Sequence, residues 1–396
     1  MNAPAGVLVV GASAAGLTTV EALRRHGYAG PVTVLGAETH PPYDRPPLSK
    51  QILSGAWQPD RARLRPREAL SALGAEFILG DPAVGLDATA LAVHTASGRT
   101  LRAGAVVVAT GTRPRILPGQ AALAGVHVLR TLDDALALRA ALLTSARLVV
   151  VGDGVLGAEV AATARTMGLD VTVVGPQPAP MANQLGHPVA GLLAELHTGH
   201  GVRLRPGSGV RGLTGGGGTV TGVSLDNGDT LPADLVLVAI GADPVTGWLH
   251  GSGLRVDNGL VCDSRCRAAE GIYAVGDVAR WHHDRLGALL RLENRTNATE
   301  QAMAVAAGLL GGERPYTPVS YFWTDQFDAK IQVYGVVPAD AEMSVVDGDP
   351  ATGRFVARFR REGAVTGVLG WNMPKQARLR RQEVADALGG PAPAPR

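Results

Sequence analysis

Cysteine is almost missing from this chain: 396 residues hold two, Cys262 and Cys266. A thiol exchange centre in the N-terminal region is excluded, because no cysteine precedes residue 262. The pair lies in a turn-rich strand connection, Val261-Cys262-Asp263-Ser264-Arg265-Cys266, where free, partly buried thiols are expected. Charge of one sign is also lacking. The formal net charge is +2, so nothing global points to nucleic acid, and any basic partner site has to be local. No run is long and apolar enough for a membrane span, and Met1-Asn2-Ala3-Pro4-Ala5 has no basic leader region. The expectation is a cytoplasmic protein with neither signal peptide nor membrane contact. No Ser-His-Asp set and no metal-ligand spacing occurs, so nucleophilic hydrolysis and a metal site are not expected.

Hydrophobic residues at 46% and charged residues at 18% give a globular chain with core enough for two or three domains. The most informative stretch comes first. Val7-Leu8-Val9-Val10 reads as a buried parallel strand, and Leu17 to His26 as a helix ended by Gly27. Between them Gly11-Ala12-Ser13-Ala14-Ala15-Gly16 forms a tight turn, with Ser13 in place of the middle glycine. Backbone N–H groups and the helix dipole meet at such a turn and bind phosphate. A second strand, Val32 to Leu35, is followed by Glu38, placed to bind ribose hydroxyls.

A second such unit begins at Arg147. Leu148 to Val151 is a strand, Gly152-Asp153-Gly154-Val155-Leu156-Gly157 fits the full G-x-G-x-x-G pattern, and Ala158 to Met167 is helical. The next strand, Val171 to Val174, ends in Gly175-Pro176, where an NAD-selective site usually has an acid. No Lys or Arg lies between Arg165 and Arg203 to meet a 2′-phosphate, so the reading leans to NADH. Two units imply two dinucleotides, one held tightly and one diffusible.

Elsewhere Phe77-Ile78, Leu91 to Val93, Thr100-Leu101, Ala105 to Ala109 and Leu235 to Ile240 read as strands. Gly207 to Gly222 reads as a flexible hairpin region, and Gly271 to Ala279 as a strand running into Gly276-Asp277 at a helix start. An Ala-rich helix follows Gln301, and the Pro/Ala-rich tail Gly389 to Arg396 is expected to lack order. Four arginines crowd residues 61–67, which suits a solvated face or a docking patch.

The stretch Pro41-Pro42-Tyr43-Asp44-Arg45-Pro46-Pro47-Leu48-Ser49-Lys50 sharpens the reading, since its prolines fix a rigid path carrying Arg45 and Lys50. With the opening turn, Thr110-Gly111, Gly276-Asp277 and Trp323-Thr324-Asp325-Gln326, it resembles the oxygenase-coupled ferredoxin reductases over nearly the whole chain. The resemblance implies an α/β fold. Two Rossmann-like, glutathione-reductase-like domains are expected, 1–117 with 243–313 for FAD and 118–242 for NAD(H), plus a C-terminal α+β interface domain, 314–396.

It further implies hydride transfer from NADH to FAD and electron delivery to an acidic iron–sulfur ferredoxin serving a cytochrome P450 or Rieske oxygenase. Lys50 and Glu159 would pair beside the flavin, with Glu293 near the nicotinamide. FAD would lie against Gly11, Ser13, Ala14, Ala15, Gly16, Glu38, Arg45, Lys50, Val84, Ala109, Thr110, Gly111, Arg130, Gly276, Asp277 and Trp323. NAD would lie against Gly152, Gly154, Val155, Leu156, Gly157, Glu159, Gly175 and Gly241. The family commonly has Glu-His-Trp where this chain has Glu293-Asn294-Arg295, so an aromatic contact is missing at Arg295. A monomer or weak dimer is expected. Docking charges are sought at Arg65, Arg67, Arg291, Arg295, Lys375, Arg378, Arg380 and Arg381. Two alternatives stay open: a related NADH-dependent flavoprotein with another acceptor, and a redox-gated binding flavoprotein of the apoptosis-inducing-factor type.

Overall fold

The computed structural model describes residues 3–389, so the tail from residue 390 onward lies outside the described residues. Val7–Val10 is apolar and buried at every position, which suits a strand covered on both faces. It pairs in parallel with Val32–Gly36 on one side and Ala105–Val108 on the other. The six-stranded sheet continues outward to Glu76–Leu79 at one edge and through Ile272–Ala274 to Arg267–Ala269 at the other. Chain order reverses at Val7–Val10, so a crevice opens beyond its C-terminal end, at Gly11.

The same logic repeats at Arg147–Val151. It lies between Asp170–Val174 and Leu235–Val238 in a five-stranded parallel sheet closed by Arg203–Arg205 and Val126–His127. The chain passes between the two sheets at Thr112–Pro114 and Ala242–Pro244, and these two segments pair antiparallel. The first sheet therefore takes strands from before and after the second.

The last sheet is antiparallel, in the order Tyr321–Gln326, Ala329–Gly335, Ala364–Trp371, Arg354–Arg361, Glu342–Asp349. Its alternation sends Ile331, Val333, Phe355, Ala357, Phe359 and Leu369 to one face, packed on Met181, Leu185, Val189 and Leu193. Tyr334, Val356 and Val368 face the other way, against Ala377 and Val384 of the helices Pro374–Leu379 and Arg381–Gly389. One face thus fixes this sheet to the helices Ala182–Leu185 and His187–Gly199.

Several sequence expectations are corrected. The two nucleotide-turn helices start earlier than read, at Ala14 and Val155, because Ala14-Ala15-Gly16 and Val155-Leu156-Gly157 already pack as their first turns. Leu91 is no strand residue but a turn residue with φ of 47°, and Ala92–Thr95 is the strand. The Gly-rich 207–222 region does contain the expected hairpin, Val210–Gly216 against Thr219–Leu225, with its register broken at Val210/Gly212 and Thr214/Gly215. Gly276-Asp277 opens only a single 3₁₀ turn, Gly276–Val278, so Asp277 caps no α-helix. The Ala-rich helix begins at Arg295, with the Asn294 side chain capping it by accepting from the Asn297 N–H.

Candidate active site

The first turn is built for close approach. Gly11 has φ of 126°, and a Cβ there would collide with the Ala109 carbonyl, so only glycine fits. A Cβ on Gly16 would strike the Gly11 carbonyl in the same way. Ser13 precedes helix Ala14–Arg25 without capping it by side chain, leaving its first N–H groups open to a phosphate. Gly276 lies over the turn, where a Cβ would come 3.1 Å from the Ala15 Cβ, and its N–H donates to Gln301 Oε1 at 2.8 Å. Thr110 is tied down by its hydroxyl, which donates to the Val245 carbonyl at 2.8 Å.

Around this turn stands a polar cluster. Arg45 donates to Glu38 at 2.7 Å and to the Tyr43 hydroxyl at 3.1 Å; the Tyr43 hydroxyl itself donates to Glu38. Burial pushes the Tyr43 phenol well above its usual range, so it stays a donor. Arg130 pairs with Asp277 at 3.0 Å, and its Nε is buried with no partner. Arg291 donates to the Asp277 carbonyl at 3.1 Å and to Glu293 at 2.6 Å, and its Nε is likewise buried and unpartnered. Buried guanidinium nitrogens without acceptors on the two arginines that hold Asp277, together with a glycine turn at an uncapped helix, fit an anionic dinucleotide. Val84 is 56% exposed and sits in the β-bulge between Ala83 and Gly85, so its backbone has no strand partner.

The second turn repeats the first. Gly152 has φ of 118° and faces the Ala239 carbonyl, Gly157 packs on the Gly152 carbonyl, and Gly154 opens onto free space. Val155 and Leu156 are half-buried, and Gly241 lies at φ of 95° near the chain crossing. Gly154 has no side chain to cap helix Val155–Thr166, so that N-terminus is open too.

Between the two turns lies a buried ion pair. Lys50 Nζ and Glu159 Oε2 are 2.7 Å apart, with side chains only 12% and 7% exposed. The prolines before Lys50 end in a 3₁₀ turn, Pro46–Ser49, that delivers the ammonium to helix Val155–Thr166. Glu159 accepts two further bonds, from the Ser49 hydroxyl at 2.5 Å and from the Thr324 hydroxyl of the last sheet at 2.8 Å. Gln326 donates to the Thr324 hydroxyl at 3.0 Å and is itself held by His197 at 2.7 Å. Burial lowers the His197 pKa and favours the neutral ring. One carboxylate therefore joins all three sheets' segments.

The structure thus brings together Lys50 and Glu159, and separately Glu38, Arg45, Arg130, Gly111 and Asp277, where a Cβ on Gly111 would lie 3.1 Å from Arg130. Glu293 stands at the surface, bound to Arg291. Trp323 is half-buried beside Thr324 and stacks on Tyr321 at 6.0 Å. Sequence reasoning missed Ser49 and Thr324 as partners of Glu159, and Gln326 as the residue that holds Thr324, although all three stand inside the motifs it used. It also missed His197, for which no sequence signal exists. Arg295, where the resembling family commonly has an aromatic residue, donates to Asp44 at 2.6 Å and secures the loop bearing Arg45.

Residues 5–302 match the family described as pyridine nucleotide-disulphide oxidoreductase, and residues 321–391 match a reductase C-terminal domain. The chain belongs to that oxidoreductase family. It is 36% identical to rhodocoxin reductase of Rhodococcus erythropolis over 384 residues, 96% of this chain and 90% of that protein. It is also 36% identical to the benzene 1,2-dioxygenase system ferredoxin–NAD(+) reductase subunit of Pseudomonas putida, over 94% and 90% of the two chains. Among solved structures, it superposes on the covalent putidaredoxin reductase–putidaredoxin complex with a TM-score of 0.92 at 32% identity, covering 98% of this chain and 94% of that one. Both cysteines are buried and free, and burial pushes the Cys266 thiol up to about 12, so this member carries no thiol poised for exchange. No helix among the described residues is long and apolar enough to cross a membrane.

Proposed function

We propose that this chain is an FAD-dependent NADH:ferredoxin oxidoreductase of a cytoplasmic oxygenase system. FAD is held by 1–117 with 243–313, NADH by 118–242, and the ferredoxin is met by the C-terminal domain, 314–396. The observation that carries this reading is the buried Lys50–Glu159 pair set between two glycine turns of one design. FAD supplies the conversion between a hydride received from NADH and single electrons passed to an iron–sulfur centre.

The chain's own residues position and polarise. Gly11, Ser13, Ala14, Ala15 and Gly16 offer backbone to the pyrophosphate; Arg45, Arg130 and Asp277 fix the chain beyond it, and Glu38 accepts from the ribose. Val84 offers unpaired backbone to the adenine. Ala109, Thr110 and Gly111 close over the nucleotide. Lys50, held by Glu159, directs a positive charge toward the ring and favours negative charge arriving there. Gly152, Gly154, Val155, Leu156 and Gly157 seat the NADH pyrophosphate, and Glu293 and Gly241 bound its nicotinamide end. Trp323 covers the ring where the partner arrives. Hydride transfer needs alignment more than it needs an acid or base.

Denaturing the purified protein should release one FAD per chain, and anaerobic NADH should bleach the flavin absorbance. A folded, colourless protein that cannot be loaded with FAD would defeat the proposal.

A further inference from the structure

We infer that Asp153 carries the carboxylate that reads the adenosine ribose of the nicotinamide coenzyme, in place of a residue at position 175; this rests on the second turn binding NADH. In such units an acid at the end of the second strand, about 20 residues past the turn, binds the ribose 2′-hydroxyl. Here that position is Gly175, directly after strand Asp170–Val174. A Cβ built on Gly175 would overlap the carboxyl carbon, Oδ2 and Cβ of Asp153. The volume a side chain at 175 would occupy is therefore already filled by a carboxylate, delivered from inside the glycine turn itself.

That carboxylate is held firmly. Asp153 is 6% exposed, and it accepts the Gln177 N–H on Oδ2 at 2.8 Å and the Gln177 Nε2 on Oδ1 at 2.9 Å. Gln177 is fixed in turn by the Asn183 N–H, which donates to its Oε1 at 2.8 Å. A carboxylate has about four acceptor positions, so two remain for a ribose diol. Asp153, Gly175, Gln177, Pro180 and Arg205 line one small cleft at this point.

Arg205 corrects the sequence reading that no basic residue is near. Parallel pairing sets Arg205 opposite Val174, and the Gly175 N–H donates to the Arg205 carbonyl at 3.3 Å. Its side chain is exposed and forms no ion pair among the described residues. A 2′-phosphate at this cleft would meet a buried, fixed negative charge and an exposed, solvent-screened positive one. The buried charge acts through the lower dielectric and dominates, so the diol coenzyme is preferred.

The test uses the FAD-loaded protein and calorimetric titration with ADP-ribose and 2′-phospho-ADP-ribose, which bind without redox turnover. The parent protein should prefer ADP-ribose. Asp153→Ala should shrink that preference about tenfold or more, the scale of a hydrogen bond to a charged group. Gly175→Glu alone should bind ADP-ribose worse than the parent, since the new side chain collides with Asp153. The double exchange Asp153→Gly with Gly175→Glu should restore the preference, which a merely structural role for Asp153 does not explain. Gly175→Ala, a milder push on the same carboxylate, gives a second variant if Asp153→Ala is insoluble, and it should also weaken ADP-ribose binding. An unchanged preference in Asp153→Ala, or in Gly175→Ala where that variant is used instead, overturns the inference. So does a parent protein that prefers the phosphorylated probe. If neither probe binds and neither NADH nor NADPH bleaches the flavin, the proposed function itself fails; bleaching by NADH with an unchanged preference sinks only the role of Asp153.

Discussion

Glu159 is the residue on which most of the site converges, because three donors from two separate parts of the chain end on one carboxylate. Removing one member of a buried pair is costly, since the other charge is left without a counterpart. Glu159→Gln keeps a carbonyl for Thr324 and loses the charge that steadies Lys50. Flavin reduction by NADH, followed by stopped-flow bleaching, should slow about tenfold or more in Glu159→Gln and in Lys50→Met, a loss of roughly 1.4 kcal/mol at the barrier. FAD content should stay at one per chain in both. A bleaching rate equal to the parent's in either variant contradicts the positioning role.

The pair was legible only through the family resemblance, which the proline-fixed stretch ending in Lys50 helps to carry. What held it was not. Thr324 reaches Glu159 because strand Tyr321–Gln326 packs on helix Val155–Thr166, a contact between elements far apart in the chain with no local signature. Arg295 shows the same limit. It reads as an exposed basic residue, yet its guanidinium is committed to Asp44.

At the scale of elements, the docking surface narrows. Of the basic residues that read as candidates, Arg65 pairs with Glu21, Arg291 with Glu293, Arg295 with Asp44 and Arg380 with Glu383. Arg67, Lys375, Arg378 and Arg381 are exposed and form no ion pair among the described residues. The last three gather on the two C-terminal helices beside Leu379, which is 69% exposed. The same helices cover Tyr334, whose ring stacks on Tyr321 at 4.6 Å, and Tyr321 stacks in turn on Trp323. Charge reversal at Lys375, Arg378 and Arg381 together should raise the apparent KM for an acidic ferredoxin about tenfold at low salt. NADH-driven ferricyanide reduction should be unaffected, and the defect should shrink as salt rises. Arg295→Glu should behave differently, slowing ferricyanide reduction as well, because it sets a second acid against Asp44. An unchanged ferredoxin KM and salt dependence in the triple reversal would move the partner elsewhere.

Over the whole molecule, the two sheets that carry the glycine turns were readable because their central strands are uniformly apolar over Val7 to Val10 and Leu148 to Val151. The boundaries that failed were those set by packing: the early helix starts at Ala14 and Val155, the 3₁₀ turn at Gly276–Val278, and the left-handed Leu91. The alternating C-terminal strands also hid that both faces of their sheet are covered, since burial on the second face comes from helices that follow them. On the proposed function, two crevices on one chain, with Lys50 and Glu159 between them, make one path from NADH to a docked iron–sulfur protein. The most direct test is NADH-dependent reduction of cytochrome c by the FAD-loaded protein, with and without a purified ferredoxin from an oxygenase system. The account predicts slow reduction by the protein alone and a rate that rises with ferredoxin to saturation. A rate indifferent to every ferredoxin offered, beside rapid NADH oxidation with ferricyanide, would contradict it.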